Sequence, residues 1–164
     1  MKRRAVPDRE DQCGGAYARA LAWLARREQS ERELKTKLAA RGCAGVEVNH
    51  AIARLQEQGY QSDTRFAEAL SRARSGQGYG PNRIRAELKN HGIEGGVVEA
   101  ALAALDIDWQ ASARAQLRRR HRAKSNADAA ERARRARFLL RRGFDPATVR
   151  AITRADLDAP GDIE

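Results

Sequence analysis

A pattern of apolar residues and glycines recurs along this chain, first after 50 residues and then after 51. The first copy contains Leu34, Leu38, Gly42, Val48, Ile52 and Leu55, and the second contains Ile84, Leu88, Gly92, Val98, Leu102 and Leu105. A third, more divergent copy contains Leu139, Gly143 and Val149, which correspond to Leu88, Gly92 and Val98. Self-similarity at a fixed period of about 20 to 50 residues is typical of proteins built from repeated supersecondary units. The chain is therefore predicted to contain three similar units.

Within the first unit, the spacing of apolar residues indicates three helices. Tyr17, Leu21 and Leu24 recur at i, i+4 and i+7, as on one face of a helix. Ser30 and Glu33 have the spacing of a capping box, in which the serine oxygen accepts the Glu33 N–H and the glutamate reaches back. A second helix is predicted to begin there and to end at Gly42. The third helix carries Val48, Ile52 and Leu55 and is predicted to end at Gly59.

The later units carry matching helix starts. Phe66 and Leu70 correspond to Tyr17 and Leu21, and Asp63 is predicted to be the N-cap of their helix. In the third unit, Asp145 followed by Pro146 predicts an N-cap with proline at the first helical position.

Composition agrees with an all-α fold class. Alanine, the best helix former, occurs 32 times, against 16 β-branched residues that favour strands. Leu, Ile, Val and Phe together number only 28, so one unit alone buries little apolar surface. Stacking of neighbouring units into an elongated, curved array is therefore predicted. The predicted division is a disordered tail at 1–15, three-helix repeats at 16–59, 60–106 and 107–154, and a flexible tail at 155–164.

Positive charge is concentrated in the third unit. The net charge of the chain is +10, and the segment from Arg114 to Arg142 alone carries a balance of +10. At about 100° per residue, one side of the seventh helix and one side of the eighth are predicted to form a basic ridge. Its residues are Arg114, Arg118, Arg122 and Lys124, followed by Arg134, Arg137, Arg141 and Arg142. The apolar stripe of the second of these helices is predicted at Ala129, Ala133, Ala136 and Leu140.

Two interpretations of this ridge remain open. Arginine outnumbers lysine by 27 to 5, which favours bidentate contact with phosphate or carboxylate groups. A high-GC coding bias also enriches arginine, and the ridge would then be a solvated face only. Contact with a polyanion is the favoured interpretation.

A second basic cluster surrounds the loop SGQGYGP at residues 75–81. The flanking arginines are Arg72, Arg74, Arg83 and Arg85. The glycines are reminiscent of a phosphate-binding loop, but no strand precedes them and no Gly-Lys-Ser/Thr follows them. A flexible connector between helices is therefore predicted. Tyr79 is available for stacking on a base, although a lone loop tyrosine more often packs on its own turn.

Catalytic chemistry finds no support in the residue pattern. His50, His91 and His121 each lack a partner at metal-ligand spacing, and the acidic residues are scattered as solvent-facing partners for arginine. His91 occupies a helix C-terminal position where a cation is favoured. No enzyme activity, cofactor or metal is expected. No long apolar segment marks export or a membrane span, so a cytoplasmic protein is predicted.

Several distinctive motifs are distributed along the chain. The run SDTRFA at 62–67, continuing through Arg72 and the glycine loop to IRAEL at 84–88 and Gly92-Ile93, resembles the most recognisable block of the RecX family of bacterial recombination regulators. SERELKTKL at 30–38 and LRRGF at 140–144 resemble its flanking motifs. The resemblance extends over about residues 16 to 154.

The resemblance implies a non-catalytic modulator of the RecA recombinase. It implies binding in the groove of the RecA filament on DNA, with lower ATP hydrolysis, strand exchange and co-protease activity. Weaker, salt-dependent binding to single- or double-stranded DNA and a monomeric state are expected. The alternative is an independent, basic helical module that binds nucleic acid. These two functions differ in whether RecA-coated DNA is preferred over bare DNA.

Arg135 departs from the repeat pattern, because Leu34 and Ile84 occupy the corresponding positions. Either the core stripe of this helix shifts toward Phe138 and Leu139, or the stem of Arg135 lies along the core with its head in water.

The predicted array leads to a test by small-angle X-ray scattering. A stack of three units should be longer than a compact domain of the same length, for which the radius of gyration is about 15 Å. We expect a clearly larger value, with a circular dichroism spectrum dominated by helix. A radius of gyration near the compact value would contradict the elongated array.

Overall fold

The structure is a computed structural model that describes residues 15–120 and 128–155, and these residues form nine helices and no strand. The helices are α1 (Ala16–Leu24), α2 (Glu31–Ala39), α3 (Gly45–Glu57), α4 (Asp63–Gly76), α5 (Pro81–Asn90), α6 (Gly95–Ala103), α7 (Trp109–Arg120), α8 (Ala129–Arg142) and α9 (Pro146–Ala155). None of them is long and apolar enough to cross a membrane. The predicted tails, apart from residues 15 and 155, lie outside the described residues, as do Arg122, Lys124 and His121.

Helix packing divides the chain into three triplets, α1–α3, α4–α6 and α7–α9. The main contacts between helices fall within these triplets, and each triplet encloses a separate apolar core. The fully buried side chains include Leu34, Leu38 and Leu55 in the first core, Ile84, Leu88 and Val98 in the second, and Leu139 and Phe144 in the third. The prediction of an all-α fold with three three-helix units is confirmed.

The middle helix of every triplet ends in the same way. Gly42, Gly92 and Gly143 have φ angles of +82°, +79° and +88°, in the left-handed region that favours glycine. The residue after each glycine donates its N–H to a carbonyl five residues back, as in a Schellman motif: Cys43 to Leu38, Ile93 to Leu88 and Phe144 to Leu139. These three following residues are buried. The repeated glycine therefore marks the point where the chain turns back over its own core.

The predicted helix starts are partly correct. Ser30 Oγ accepts the Glu33 N–H at 3.1 Å, but the Glu33 carboxylate binds Arg27 and Lys37 instead of reaching back. At α9, Asp145 Oδ1 accepts the N–H groups of residues 147 and 148, as predicted. The N-cap of α4 is Ser62 and not Asp63, because Ser62 Oγ accepts the Arg65 N–H.

Asp63 instead connects the first two triplets. Its Oδ1 accepts the backbone N–H of Glu31 at 2.9 Å and the side-chain amide of Gln61 at 2.8 Å. At the same contact between the triplets, which we call the first joint, Ser30 Oγ lies 3.4 Å from His91 Nδ1. The beginning of α2 therefore meets the end of α5 through polar side chains.

The second joint connects the beginning of α5 to the end of α8 through the backbone itself. The Gly80 N–H donates to the Arg142 carbonyl at 2.8 Å, and the Asn82 N–H donates to the Gly143 carbonyl at 3.0 Å. A Cβ on Gly80 would lie 2.4 Å from the Phe144 nitrogen, and one on Gly143 would lie 2.3 Å from Arg83 Cβ. The prediction of a flexible connector at residues 75–81 is therefore wrong, because this loop is packed against the third triplet.

The predicted core stripe of α8 is wrong except at Ala136, which is partly buried and packs against the third core. Leu140 is 46% exposed, and Ala129 and Ala133 are exposed as well. The helix buries Arg135, Phe138 and Leu139 instead. The stripe is thus shifted toward Phe138 and Leu139, and the Arg135 head is not in water: its side chain is 8% exposed and its Nε lies 3.3 Å from Glu131 Oε1.

The backbone joint predicts opposite effects for two neighbouring glycines. Gly80→Ala should lower the free energy of unfolding by about 1–3 kcal/mol, because the added methyl group has no space between the two backbones. Gly76→Ala is the matched control and should raise the free energy of unfolding slightly. Gly76 ends α4, a Cβ there meets nothing within 4 Å, and alanine is the better helix former. Urea unfolding followed by circular dichroism measures both. Equal stability of the Gly80→Ala variant and the parent chain would contradict the described joint.

Candidate basic interface

One face of α8 carries exposed arginines in a continuous row. Arg134, Arg137 and Arg141 follow each other at spacings of three and four residues, which places them on one side of a helix, and all three are exposed. Leu140, one turn beyond Arg137, is exposed beside this row. We call Arg134, Arg137, Leu140 and Arg141 the outer face of α8. It combines three cationic groups with one large exposed apolar side chain.

On α7, Arg114 and Arg118 are exposed, and each directly follows a buried residue, Ala113 and Leu117 respectively. Arg114 Nη2 donates a hydrogen bond of 3.3 Å to Gln110 Oε1. Of the other predicted ridge residues, Arg142 is half-buried, and Arg122 and Lys124 lie outside the described residues. For the described part of the ridge, the structure therefore provides solvent-facing arginines on both helices.

In the second basic cluster, two arginines bind carboxylates of the chain itself. Arg74 contacts both carboxylate oxygens of Glu87 through Nε, at 3.0 and 2.8 Å. Arg85 binds both oxygens of Glu99, at 2.6 and 2.9 Å. The hydrogen bond from Arg74 lowers the pKa of Glu87, and that from Arg85 lowers the pKa of Glu99. Arg74 and Arg85 thus stabilise the second triplet.

The two remaining arginines of the second cluster differ from each other. Arg72 is exposed and lies 3.6 Å from Glu68 one turn earlier. Arg83 stacks on the Tyr79 ring, with Cζ 4.3 Å from the ring centroid, and its Nη1 donates to the Arg141 carbonyl at 3.5 Å. Tyr79 therefore packs within the second joint, between the second and third triplets.

A cleft at the joint between the second and third triplets contains arginines that the sequence analysis did not select. Its volume is about 390 Å³, and its lining residues are Gln77, Gln116, Arg119, Arg120, Phe138 and Arg142. We call it the joint cleft. Only Arg142 among these residues was predicted to contact a ligand. The run Leu117-Arg118-Arg119-Arg120 gave no sign that its last two members turn toward a loop some 40 residues earlier in the chain.

The histidines of the described residues occupy structural or exposed positions. His91 is the C-cap of α5 and its ring lies 4.9 Å from the Phe66 ring, between centroids. His50 is exposed on α3. Within residues 15–120 and 128–155, no group of three His, Cys, Asp or Glu side chains is arranged to hold a metal ion.

The Arg74–Glu87 pair leads to a prediction about stability and pH. Arg74→Ala should lower the free energy of unfolding by up to about 1 kcal/mol, whereas Arg72→Ala should change it by less than about 0.5 kcal/mol. Because the folded-state pKa of Glu87 lies below its usual value of 4.5, the stabilisation is present above pH 4.5 and is lost as the pH falls through the folded-state pKa. The difference between the parent chain and Glu87→Gln in urea unfolding should therefore disappear in acid. A difference that persists at low pH would contradict this assignment.

Three family models match the chain in consecutive order. They describe the first three-helix domain of RecX at residues 16–55, the second at residues 62–102 and the third at residues 106–153. Two crystal structures share the fold. One, of regulatory protein RecX, has a TM-score of 0.73 and 22% identity and covers 94% of this chain and 81% of its own. The other, of RecX from Lactobacillus salivarius, has a TM-score of 0.72 and 21% identity and covers 89% and 97%.

Similarity to curated relatives extends over most of the chain. Regulatory protein RecX of Xanthomonas axonopodis pv. citri (strain 306) is 47% identical over 140 residues, which are 85% of this chain and 86% of the relative. Regulatory protein RecX of Stenotrophomonas maltophilia (strain K279a) is 46% identical over the same shares. Because the family models cover each of the three helix triplets and the identity extends across all of them, the chain belongs to the RecX family of regulatory proteins.

Proposed function

We propose that this chain inhibits the RecA recombinase by binding in the groove of the RecA filament on DNA. RecX proteins are regulatory, and the family resemblance of the sequence motifs implies RecA as the target. Binding would lower ATP hydrolysis, strand exchange and co-protease activity. The protein would act in the cytoplasm as a monomer and without chemistry of its own. The observation that carries this proposal is the outer face of α8.

The outer face of α8 has the composition of a protein-binding surface. Phosphate recognition needs only hydrogen-bond donors, whereas a protein partner also provides apolar surface for a side chain such as Leu140, which is 46% exposed. Arginine is one of the residue types that most often dominate the binding energy of protein interfaces. Arg137, one turn before Leu140, and Arg141, the next residue, are exposed and are available for carboxylates of the partner. This combination favours an acidic protein surface as the partner.

A filament offers many copies of one surface to a protein made of three similar units. When one unit is bound, its neighbours meet the filament at high effective concentration, so individually weak contacts sum to a strong one. Inhibition by occupancy should saturate with added protein and should not grow with incubation time. The attraction is largely electrostatic, so raising salt from about 50 to 200 mM should relieve it.

An independent nucleic-acid-binding function is the second candidate, and the net charge of +10 favours it. A pure DNA binder should hold bare single-stranded DNA as tightly as RecA-coated DNA. Its log affinity should fall by about 0.7 per log salt for each single-strand phosphate that it neutralises. Tighter binding to the coated strand than to the bare strand would support the filament and reject this alternative.

The test of the proposed function removes the positive charge of the outer face. In a titration of RecA ATP hydrolysis on single-stranded DNA, the variant Arg134→Ala, Arg137→Ala, Arg141→Ala should need about 10-fold or more protein for half inhibition, since each exposed contact contributes about 0.5–1 kcal/mol. Helicity should be retained, because alanine is the better helix former. The matched control replaces three exposed arginines elsewhere, Arg41, Arg150 and Arg154, and loses the same charge.

A second variant separates protein contact from phosphate contact. Leu140→Ser removes the exposed apolar side chain, so it should weaken RecA inhibition. Because it changes no charge, it should leave binding to bare single-stranded DNA unchanged. Equal inhibition by the parent chain, the triple variant and the control would show that the outer face has no role. No effect on ATP hydrolysis at several-fold excess over RecA in low salt would refute the proposed function itself.

A further inference from the structure

The joint cleft holds three arginines that no carboxylate of the described residues neutralises. Arg119 and Arg120 come from the end of α7 and are exposed, and Arg142 ends α8 and is half-buried. In contrast, Arg74 binds a carboxylate through three hydrogen bonds and Arg85 binds one through two. Gathering three positive charges in one cleft costs electrostatic energy unless an anion is present.

Aromatic rings and a backbone carbonyl position the guanidinium groups of Arg120 and Arg142. The Cζ atoms of Arg120 and Arg142 lie 4.9 and 5.4 Å from the centroid of the Phe138 ring, and Arg142 also lies 5.0 Å from that of Tyr79. Arg142 Nη1 donates to the Gln77 carbonyl at 2.9 Å. Stacking fixes the plane of a guanidinium group and leaves N–H groups at its edge for an anion. Arg120 and Arg142 are therefore oriented before any ligand arrives, and Arg119 lines the same cleft.

The cleft also spans two triplets. Gln77 belongs to the loop after α4, whereas Arg119, Arg120 and Arg142 belong to the third triplet. The floor is tightly packed, since a Cβ on Gly78 would lie 2.1 Å from the side chain of the buried Gln116. An anion bound by Arg142 is thus connected through the same guanidinium group to the preceding triplet.

The chemistry of the cleft selects phosphate over an acidic peptide. Phe138 is 7% exposed and is covered by arginine, so the cleft offers a peptide no apolar contact. The oxygens of a phosphate group accept several charge-assisted hydrogen bonds at once. We propose that the joint cleft binds a phosphate of a nucleic-acid backbone and that the bound phosphate strengthens the joint between the second and third triplets. This site is separate from the outer face of α8, so the proposal of a phosphate site can be refuted without refuting RecA inhibition.

The binding test compares two double variants of equal charge. The probe is fluorescein-labelled oligothymidylate of about 30 nucleotides, long enough to follow a basic groove, with anisotropy as the readout. Arg119→Ala, Arg120→Ala should weaken binding about 10-fold and reduce the salt slope by about 0.7, which corresponds to one single-strand phosphate. The control Arg150→Ala, Arg154→Ala removes two exposed arginines from α9 of the same triplet and should lose less than about 2-fold.

A second readout reports on the joint itself. The Gly80 N–H donates to the carbonyl of Arg142, so its hydrogen exchange measures opening of the joint. Oligothymidylate should slow this exchange in the parent chain and in the control variant, and should have no effect in Arg119→Ala, Arg120→Ala. Unchanged exchange of this amide in the parent chain at saturating oligonucleotide would overturn the strengthening of the joint.

Three further outcomes would overturn the assigned ligand. Equal losses in the two double variants would mean that net charge alone attracts the strand. Equally tight binding of labelled poly-glutamate would identify an acidic peptide as the ligand. Displacement of the strand by ATP or inorganic phosphate at matched phosphate concentration would identify a free phosphate compound. RecA inhibition by Arg119→Ala, Arg120→Ala, measured in parallel, keeps a failure here distinct from a failure of the proposed function.

Discussion

The arrangement of the second and third units depends on a contact between two peptide backbones. The first N–H groups of a helix and its last carbonyls have no partners within the helix. Here the N–H groups of Gly80 and Asn82, at the start of α5, meet the carbonyls of Arg142 and Gly143, at the end of α8. Each helix end thus satisfies the other, and the positive end of one dipole faces the negative end of the next. Only glycine at positions 80 and 143 lets the backbones come so close.

The first joint has the same direction but different chemistry. The start of α2 meets the end of α5, so the three middle helices follow one another head to tail. In place of a backbone contact, the Asp63 carboxylate accepts the N–H of Glu31, and Gln61 donates to the Gln29 carbonyl at 3.2 Å. Gln29 and Gln61 are buried and their hydrogen bonds offset the cost of that burial. A glycine-dependent joint and a side-chain joint therefore perform the same structural task in one chain.

Arginine has three distinct roles in this thin-cored protein. Arg74 and Arg85 bind carboxylates between helices, and Arg135 fills a core position with its charge next to Glu131. Arg83 and Arg142 stack on Tyr79 at the second joint. The three arginines of the outer face of α8, Arg134, Arg137 and Arg141, are exposed. A high arginine content therefore does not define one binding surface, because packing removes part of it from contact with a partner.

The sequence by itself determined the features that depend on a few neighbouring residues. The 3.6-residue period of the apolar side chains and the positive φ angles at Gly42, Gly92 and Gly143 are local, so the helices, their ends and the three-unit organisation could be predicted. The predicted exposure of Arg134, Arg137 and Arg141 also followed from helical spacing.

Only the tertiary structure decided which faces are buried in the third unit and how the units join. The burial of the Arg135 head was not predicted, because it requires Glu131 within reach and neighbouring residues that cover the side chain. The loop at residues 75–81 is typical of a free connector in sequence, yet Gly80 hydrogen-bonds to a residue 62 positions later. The joint cleft combines Gln77 with Arg119 and Arg142 in the same way. Such contacts depend on the docking of whole helices, and no spacing within one helix specifies it.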